Sequence, residues 1–151
     1  MKRMIIALVA AVVSAVTVSA CNGANASNET STTEVAAPKS DSKVEVIYFH
    51  GKQRCMTCMA IEKETKALMD GELAEQVKSG RVQLRVVDFS TDEGKAIAKK
   101  YKVTFSSLFV VTNPGKNEKA EDLTRFAFAN ARSNPEAFRK ELKNKVMNGI
   151  K

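Results

Sequence analysis

The chain has 151 residues, a formal net charge of +7 and 44% hydrophobic residues. That is enough for one domain of ordinary size with an apolar core, and too little for two large domains. The basic residues are scattered among acidic ones, without the aromatic-interleaved basic stripe that suits a nucleic acid. We therefore expect no nucleic-acid partner, and a solvated surface that favours anionic partners or a membrane.

The chain begins like a secreted protein. Lys2 and Arg3 form a basic start, residues 4–18 are apolar, and the small residues Ser19-Ala20 precede Cys21. This order is typical of a signal peptide, and the apolar run is short for a permanent bilayer span. The four residues that end at Cys21 resemble the lipobox of bacterial lipoproteins. That resemblance implies cleavage before Cys21 and attachment of a diacylglyceryl group to its sulfur.

Three segments follow from this start. Residues 1–20 are predicted to be a lipoprotein signal peptide, and residues 21–43 a lipidated cysteine with a flexible tether rich in Asn, Ser, Thr and Ala. Residues 44–151 are left as the single folded domain. Asn22 provides no acidic retention signal, so we expect a membrane-anchored protein on the periplasmic face of the outer membrane of a Gram-negative bacterium.

The first half of the domain contains a strand, a helix and a second strand. Residues 44–49 form a nearly continuous apolar run, as in a strand buried on both faces. From Met59 onward apolar residues recur every four positions, which indicates a helix, and Asp70-Gly71 predicts a break in it. Ser79-Gly80 ends the helix, and residues 81–89 are predicted to form the second strand.

The second half is predicted from turn and capping residues. Ser90 to Glu93 is typical of a helix start, and Asn134 with Pro135 opens a last helix. The predicted elements between and after them are a short helix to Tyr101, a strand over 108–111, a turn over 113–115, a strand over 122–129 and a helix from 135 to 150. We also expect Phe105, Phe109, Phe126 and Phe128 to pack on the sheet. The order predicts an α/β fold with a mixed four-stranded sheet and helices on both faces.

Cys55-Met56-Thr57-Cys58 lies between the first strand and the first helix. Two thiols three positions apart can close a disulfide or bind a soft metal. A helix N-terminus at this point lowers the pKa of the first thiol, because its free amide N–H groups favour a thiolate. If Cys21 carries lipid, only Cys55 and Cys58 of the three cysteines remain, and they form one pair in a compartment where disulfides persist.

With this motif after an apolar strand, and Tyr101-Lys102-Val103 before the third strand, the domain resembles the thioredoxin-like superfamily. The resemblance implies a thioredoxin-like fold and thiol–disulfide exchange without a cofactor. It makes Cys55 the exposed nucleophile, Cys58 the resolving thiol and Cys55–Cys58 a redox-active disulfide.

Three features depart from the superfamily's pattern. Arg54 precedes the motif, and Met56-Thr57 fills it, where members usually carry Trp-Cys-Gly-Pro-Cys or a near relative. The cis-proline that packs against the disulfide would fall near Ser107, yet Ser106-Ser107 contains no proline. Phe49 occupies the place of the buried acid that many thioredoxins hold six residues before the first cysteine. Broad protein-reductase activity is less favoured for this reason, and metal binding becomes easier.

Charged neighbours are candidate supporting residues. Lys52 and Arg54 are close enough in sequence to favour a Cys55 thiolate, and we include Ser107 because it occupies the cis-proline position. His50, the only histidine of the chain, is either a proton acceptor or a strand-end residue bonded to backbone. A static disulfide remains an alternative, although a ring this short adds little loop entropy.

A metal-binding function is the other alternative. Met56 and Met59 flank the two thiols, and with Cys55, Cys58 and His50 they make a soft ligand set suited to copper(I). Methionines on a helix also serve as core filler. The sequence thus predicts an exported, membrane-tethered thiol–disulfide oxidoreductase, monomeric, with a periplasmic protein or a small thiol as its partner. The alternatives are a copper(I)-binding periplasmic lipoprotein and a non-catalytic thioredoxin-like interaction domain.

Overall fold

A computed structural model of the protein describes residues 43–151. The predicted signal peptide, the lipidation of Cys21 and nearly all of the tether lie outside the described residues. The elements run in the order β1 (Val44–His50), α1 (Met56–Asp70), α2 (Ala74–Lys78), β2 (Val82–Asp88), α3 (Asp92–Lys100), β3 (Ser107–Thr112), β4 (Lys119–Asp122), α4 (Thr124–Asn130) and α5 (Pro135–Ile150).

The four strands form one mixed sheet in the order β2-β1-β3-β4. β1 pairs in parallel with β2 and antiparallel with β3, and β3 pairs antiparallel with β4. The continuous apolar run of β1 is explained by this central position, because both of its faces are covered. The predicted α/β fold, with a mixed four-stranded sheet flanked by helices, is confirmed.

Alternate residues of β1 enter two separate apolar cores. On one face Val44, Val46 and Tyr48 pack with buried residues of α1, α4 and α5. On the other face Ile47 and Phe49 pack with Ala98 of α3 and with residues of β2 and β3. Helices therefore cover both faces of the sheet, with α3 alone among the described helices contributing to the second core.

α3 lies very close to the end of β2. Thr91 caps the helix, and its hydroxyl accepts a hydrogen bond from the Gly94 amide at 3.0 Å. Gly94 itself packs on the Asp88 carbonyl, so that a Cβ atom built on Gly94 would lie 1.9 Å from that oxygen. A residue without a side chain is required at this contact.

The prediction of a fourth strand over 122–129 is wrong. The strand is β4, which ends at Asp122, and α4 follows it. The alternation of Phe126 and Phe128 suggested a strand, whereas Leu123, Ala127 and Ala131, four residues apart, are the positions that are buried. Phe126 stacks on Phe138 of α5 with ring centroids 6.4 Å apart, and Phe128 is partly exposed.

The first helix starts earlier than its apolar repeat indicated. α1 begins at Met56 and includes Cys58, whereas the repeat placed the opening at Met59. The predicted break at Asp70-Gly71 is confirmed, since α1 ends at Asp70 and the chain resumes as α2 three residues after Gly71. Among residues 43–151, no helix is long and apolar enough to span a membrane.

Candidate redox site

Cys55 is the N-cap residue of α1. Its backbone is extended, and its sulfur accepts a hydrogen bond from the Cys58 amide at 3.1 Å. The next amide of the helix, that of Met59, donates to the Cys55 carbonyl at 3.0 Å. One amide of the first turn, that of Cys58, therefore points toward the Cys55 sulfur, which is the arrangement that favours a thiolate when the pair is reduced.

Cys55 and Cys58 are joined by a disulfide, and their Cα atoms are 5.0 Å apart. The two sulfur-bearing residues differ in access, because Cys55 is exposed whereas Cys58 is only 6% exposed. A partner sulfur can thus reach Cys55 and not Cys58. This asymmetry is the geometry that a nucleophile and a resolving thiol require.

Tyr48 of β1 forms a hydrogen bond with the backbone of the buried Cys58. The Tyr48 side chain is fully buried, and its hydroxyl donates to the Cys58 carbonyl at 2.7 Å. Burial raises the pKa of the Tyr48 phenol, and the neighbouring Arg54 and Ser106 side chains oppose that effect. The phenol therefore stays protonated and acts as a hydrogen-bond donor that fixes the first turn of α1 to β1.

Arg54 forms an ion pair within the site. Its guanidinium contacts the Glu62 carboxylate, and its Cζ atom lies 5.9 Å from the centroid of the Tyr48 ring. Glu62 also pairs with Lys66 at 2.6 Å, and its side chain is only 12% exposed. The charge that was predicted to favour the Cys55 thiolate is thus partly neutralised by a carboxylate.

Replacing Glu62 by Gln should therefore raise the reactivity of Cys55. Without the carboxylate, the positive charge of Arg54 acts on the adjacent sulfur uncompensated and favours the thiolate. We expect alkylation of reduced Cys55 to become about threefold faster at a pH where the thiol is mainly protonated, equivalent to about 0.65 kcal/mol. The rate is measured by mass spectrometry after timed exposure to iodoacetamide.

Glu64 is the matched control for this experiment. Its side chain is also 12% exposed and belongs to the same helix, but it pairs with Arg139 of α5. Glu64→Gln removes the same charge without freeing Arg54, and the alkylation rate should stay unchanged. Equal acceleration in both variants would show that the pairing of Arg54 has no specific effect on the sulfur.

His50 and Lys52 lie toward the end of β2. His50 is opposite Asp88 in the strand register, and its Nδ1 atom is 3.1 Å from the Gly51 carbonyl oxygen. The pKa of the Asp88 carboxyl is lowered, chiefly by its hydrogen bond with Ser90 and further by the charges of His50 and Lys52. Both residues thus act on Asp88.

The predicted metal ligands are His50, Cys55, Cys58, Met56 and Met59. Within residues 43–151 no group of three or more His, Cys, Asp or Glu side chains is placed to hold a metal ion. His50 is therefore not brought together with Cys55 and Cys58 as a three-ligand set. Two thiols with Met56 and Met59 remain as the candidate soft ligands, and copper(I) binding stays a prediction.

Ser107 lies at the start of β3, opposite Phe49 of β1. It is buried, and its hydroxyl donates to the Phe105 carbonyl at 2.8 Å. The preceding Ser106 is also buried and acts on Tyr48, as described above. The two serines at the expected cis-proline position are thus tied to the segment that precedes β3 and to the residue beneath Cys58.

Apolar side chains are exposed near the disulfide. Met56 and Met59, which flank the thiols on α1, are 64% and 43% exposed, so neither is core filler. Phe105, in the segment before β3, is 60% exposed, and the expectation that it packs on the sheet is wrong. Thr104 beside it is also exposed, and burial begins at Ser106.

Several solved structures are similar to this chain, among them two thioredoxins and a malarial protein. A thioredoxin from Thermus thermophilus has 17% identity and a TM-score of 0.46, over 71% of this chain and 76% of that one. Thioredoxin-2, a component of malaria parasite protein secretion machinery, has 20% identity and a TM-score of 0.43, over 68% of this chain and 82% of its own. A malarial protein has 23% identity and a TM-score of 0.38, over 58% and 94% of the two chains. No protein-family model and no curated protein matches the chain.

Proposed function

We propose that the protein is an exported, membrane-tethered thiol–disulfide oxidoreductase that works through Cys55 and Cys58. The observation that carries this proposal is the disulfide at the N-terminus of α1, with one exposed and one buried cysteine. A purely structural disulfide needs no exposed member, and a ring this short gives little stabilisation by loop closure. An exposed N-cap sulfur that accepts a hydrogen bond from the Cys58 amide is placed for attack.

The reaction proceeds in two exchanges. When the protein oxidises its partner, a partner thiolate attacks the Cys55 sulfur and the Cys55–Cys58 bond breaks. Cys58 leaves as a thiolate and takes up a proton. A second partner thiolate then attacks the partner sulfur of the mixed disulfide and releases Cys55 as a thiolate. The partner loses two electrons and the cysteine pair gains them. In the opposite direction Cys55 attacks a partner disulfide, and Cys58 then resolves the mixed disulfide.

The cellular setting of this proposal rests on the N-terminal sequence. The basic start, the apolar stretch and the lipobox-like residues before Cys21 support export and a lipid anchor. In the periplasm the monomeric domain would then meet protein or small-thiol partners while tethered to the outer membrane. An oxidising compartment is also where a disulfide such as Cys55–Cys58 persists.

A redox titration tests the proposal. The full chain carrying Cys21→Ser, so that only one pair titrates, is equilibrated in glutathione or dithiothreitol buffers and then alkylated. We expect a single reversible two-electron transition. In such a transition, the ratio of oxidised to reduced protein changes tenfold for every change of about 30 mV in the buffer potential. Cys55→Ser and Cys58→Ser should each abolish the transition. A pair that stays fully oxidised in every buffer, or that transfers no disulfide to a thiol peptide, would contradict the proposal.

The exposed Met56 and Met59 favour copper(I) binding as a second candidate function. The same reduced protein is titrated with copper(I) against a chromophoric chelator under anaerobic conditions. One equivalent of copper(I), retained against the chelator and lost in a Met56→Leu, Met59→Leu variant, would favour the metal function. If the protein neither retains copper(I) nor exchanges disulfides, the non-catalytic interaction domain remains.

A further inference from the structure

A cavity lies at the end of β1 opposite the disulfide. It has a volume of about 550 Å³ and lies between α3, the sheet and the turn that joins β3 to β4. Glu45, which lines it, is five strand residues from His50, so roughly 17 Å of strand separate the cavity from the redox end of β1. Its volume falls within the roughly 300–1,000 Å³ that is typical of ligand pockets.

Two charged side chains with unmet hydrogen bonds line this cavity: Glu45 is buried, and Arg85 is 12% exposed. Glu45 is only 2% exposed, and its Oε1 atom is 3.8 Å from Nη1 of Arg85, which is too long for a hydrogen bond. In the described part of the chain, neither Glu45 Oε1 nor Arg85 Nε has a hydrogen-bond partner. Burial raises the pKa of Glu45, and Arg85 and Lys100 oppose that effect. Two residues of the cavity wall thus carry one unmet acceptor and one unmet donor, both on buried atoms.

Two other charged residues of the cavity partner each other, and a further lysine, Lys116, also lines it. Lys100 donates to Glu118 at 2.7 Å, and the same Glu118 oxygen accepts from the Gly115 amide at 3.3 Å. These two side chains are more exposed than Glu45 and Arg85, at 53% and 24%. The remaining wall includes apolar residues, namely Ala96, Ile97 and Pro114. The buried atoms of this cavity that lack hydrogen-bond partners therefore belong to Glu45 and Arg85. The three apolar residues provide a surface for a hydrocarbon group.

We propose that this cavity binds a small zwitterion with an apolar side chain, of the class of aliphatic α-amino acids. The ligand's ammonium group donates to Glu45, and its carboxylate accepts from Arg85, so that two charge-assisted hydrogen bonds replace one long ion pair. The hydrocarbon side chain lies against Ala96, Ile97 and Pro114. A purely cationic ligand would leave Arg85 unmet, and a purely anionic one would leave Glu45 unmet. This site is independent of the proposed redox function.

Isothermal titration calorimetry of the full chain with three matched probes tests the proposal. Leucine carries both charges, leucinamide carries only the ammonium group, and 4-methylpentanoate carries only the carboxylate. Leucine should bind at least tenfold more tightly than either half-probe, a difference of about 1.4 kcal/mol. Equal binding of the three probes would overturn the proposal. So would the absence of binding, which would indicate that water satisfies Glu45 and Arg85.

Three variants show whether the probe occupies this cavity. Ala96 lines the cavity but is exposed on α3, so Ala96→Phe fills the space with little effect on stability and should weaken leucine binding at least tenfold. Ala129→Phe makes the same change at an exposed position of α4 that does not line the cavity, and it should bind leucine normally. Glu45→Gln keeps the shape and should reduce the preference for leucine over 4-methylpentanoate to about one. Unchanged leucine binding in Ala96→Phe would overturn the assignment.

Discussion

Replacing Cys58 by Ser is expected to turn the protein into a trap for its partner. Cys55 remains exposed at the N-cap of α1, so it still attacks a partner disulfide. The buried sulfur that resolves the mixed disulfide is gone, so the covalent complex accumulates. Non-reducing electrophoresis of extracts from cells that produce the Cys58→Ser variant should show slower-migrating adducts that reductant removes, with the partners identified by mass spectrometry.

Cys55→Ser is the matched variant and should behave in the opposite way. The remaining thiol, that of Cys58, is only 6% exposed, so it cannot meet a partner sulfur. We expect no adducts, and disulfide transfer reduced roughly 1,000-fold or more, as for removal of other enzyme nucleophiles. Carrying Cys21→Ser in both variants prevents adducts through that residue. If Cys55→Ser traps as many partners as Cys58→Ser, the assignment of Cys55 as the nucleophile and Cys58 as the resolving thiol is wrong.

Gly94→Ala should be the most destabilising of the glycine-to-alanine substitutions in the domain. Helix propensity alone predicts that the free energy of unfolding rises by about 1 kcal/mol, because alanine is more favourable than glycine inside a helix. The added Cβ atom would lie 1.9 Å from the Asp88 carbonyl oxygen, however, and a backbone oxygen cannot rotate away as a side chain can. α3 must move away from β2, and Ala98 with it. We expect a loss of about 3 kcal/mol in the free energy of unfolding, measured with urea.

Gly80→Ala provides the comparison for this experiment. A Cβ atom built on Gly80 meets nothing within 4 Å, and the residue has a φ of +76°. Only the left-handed backbone conformation opposes alanine there, at about 1 kcal/mol. Gly94→Ala should therefore lose clearly more stability than Gly80→Ala. A gain of stability in Gly94→Ala would show that helix propensity outweighs the close approach of α3 to β2.

The parts of the fold that were predicted correctly are those with a strong local signal. The apolar run of β1, the break at Asp70-Gly71 and the Asn134-Pro135 start of α5 are all present in the structure. The error over 122–129 has a physical cause, because two alternating phenylalanines imitate a strand. The burial of Leu123, Ala127 and Ala131 that identifies α4 depends partly on packing against α1, which is distant in sequence.

Much of the candidate site could not be predicted, because it depends on contacts between elements. The Cys55–Cys58 spacing was visible, but the bond from Tyr48 to the Cys58 carbonyl joins β1 to α1. The Arg54–Glu62 pair spans eight residues and needs the helix to start at Met56. One signal was available: Glu62 follows Cys58 by four positions, which places both on one face of a helix. Tyr48 could likewise have been noted as a polar ring in an apolar strand.

The central place of β1 bears on how the protein changes oxidation state. This strand is hydrogen-bonded along both edges and covered on both faces, so its amides belong to the part of the domain that should resist hydrogen exchange longest. Residues 51–55, which end at Cys55, follow directly after β1, and Tyr48 of β1 holds the first turn of α1 through its hydrogen bond to the Cys58 carbonyl. We therefore expect the two oxidation states to share one backbone. A partner would then distinguish them by sulfur chemistry and not by the shape of the surface that it meets.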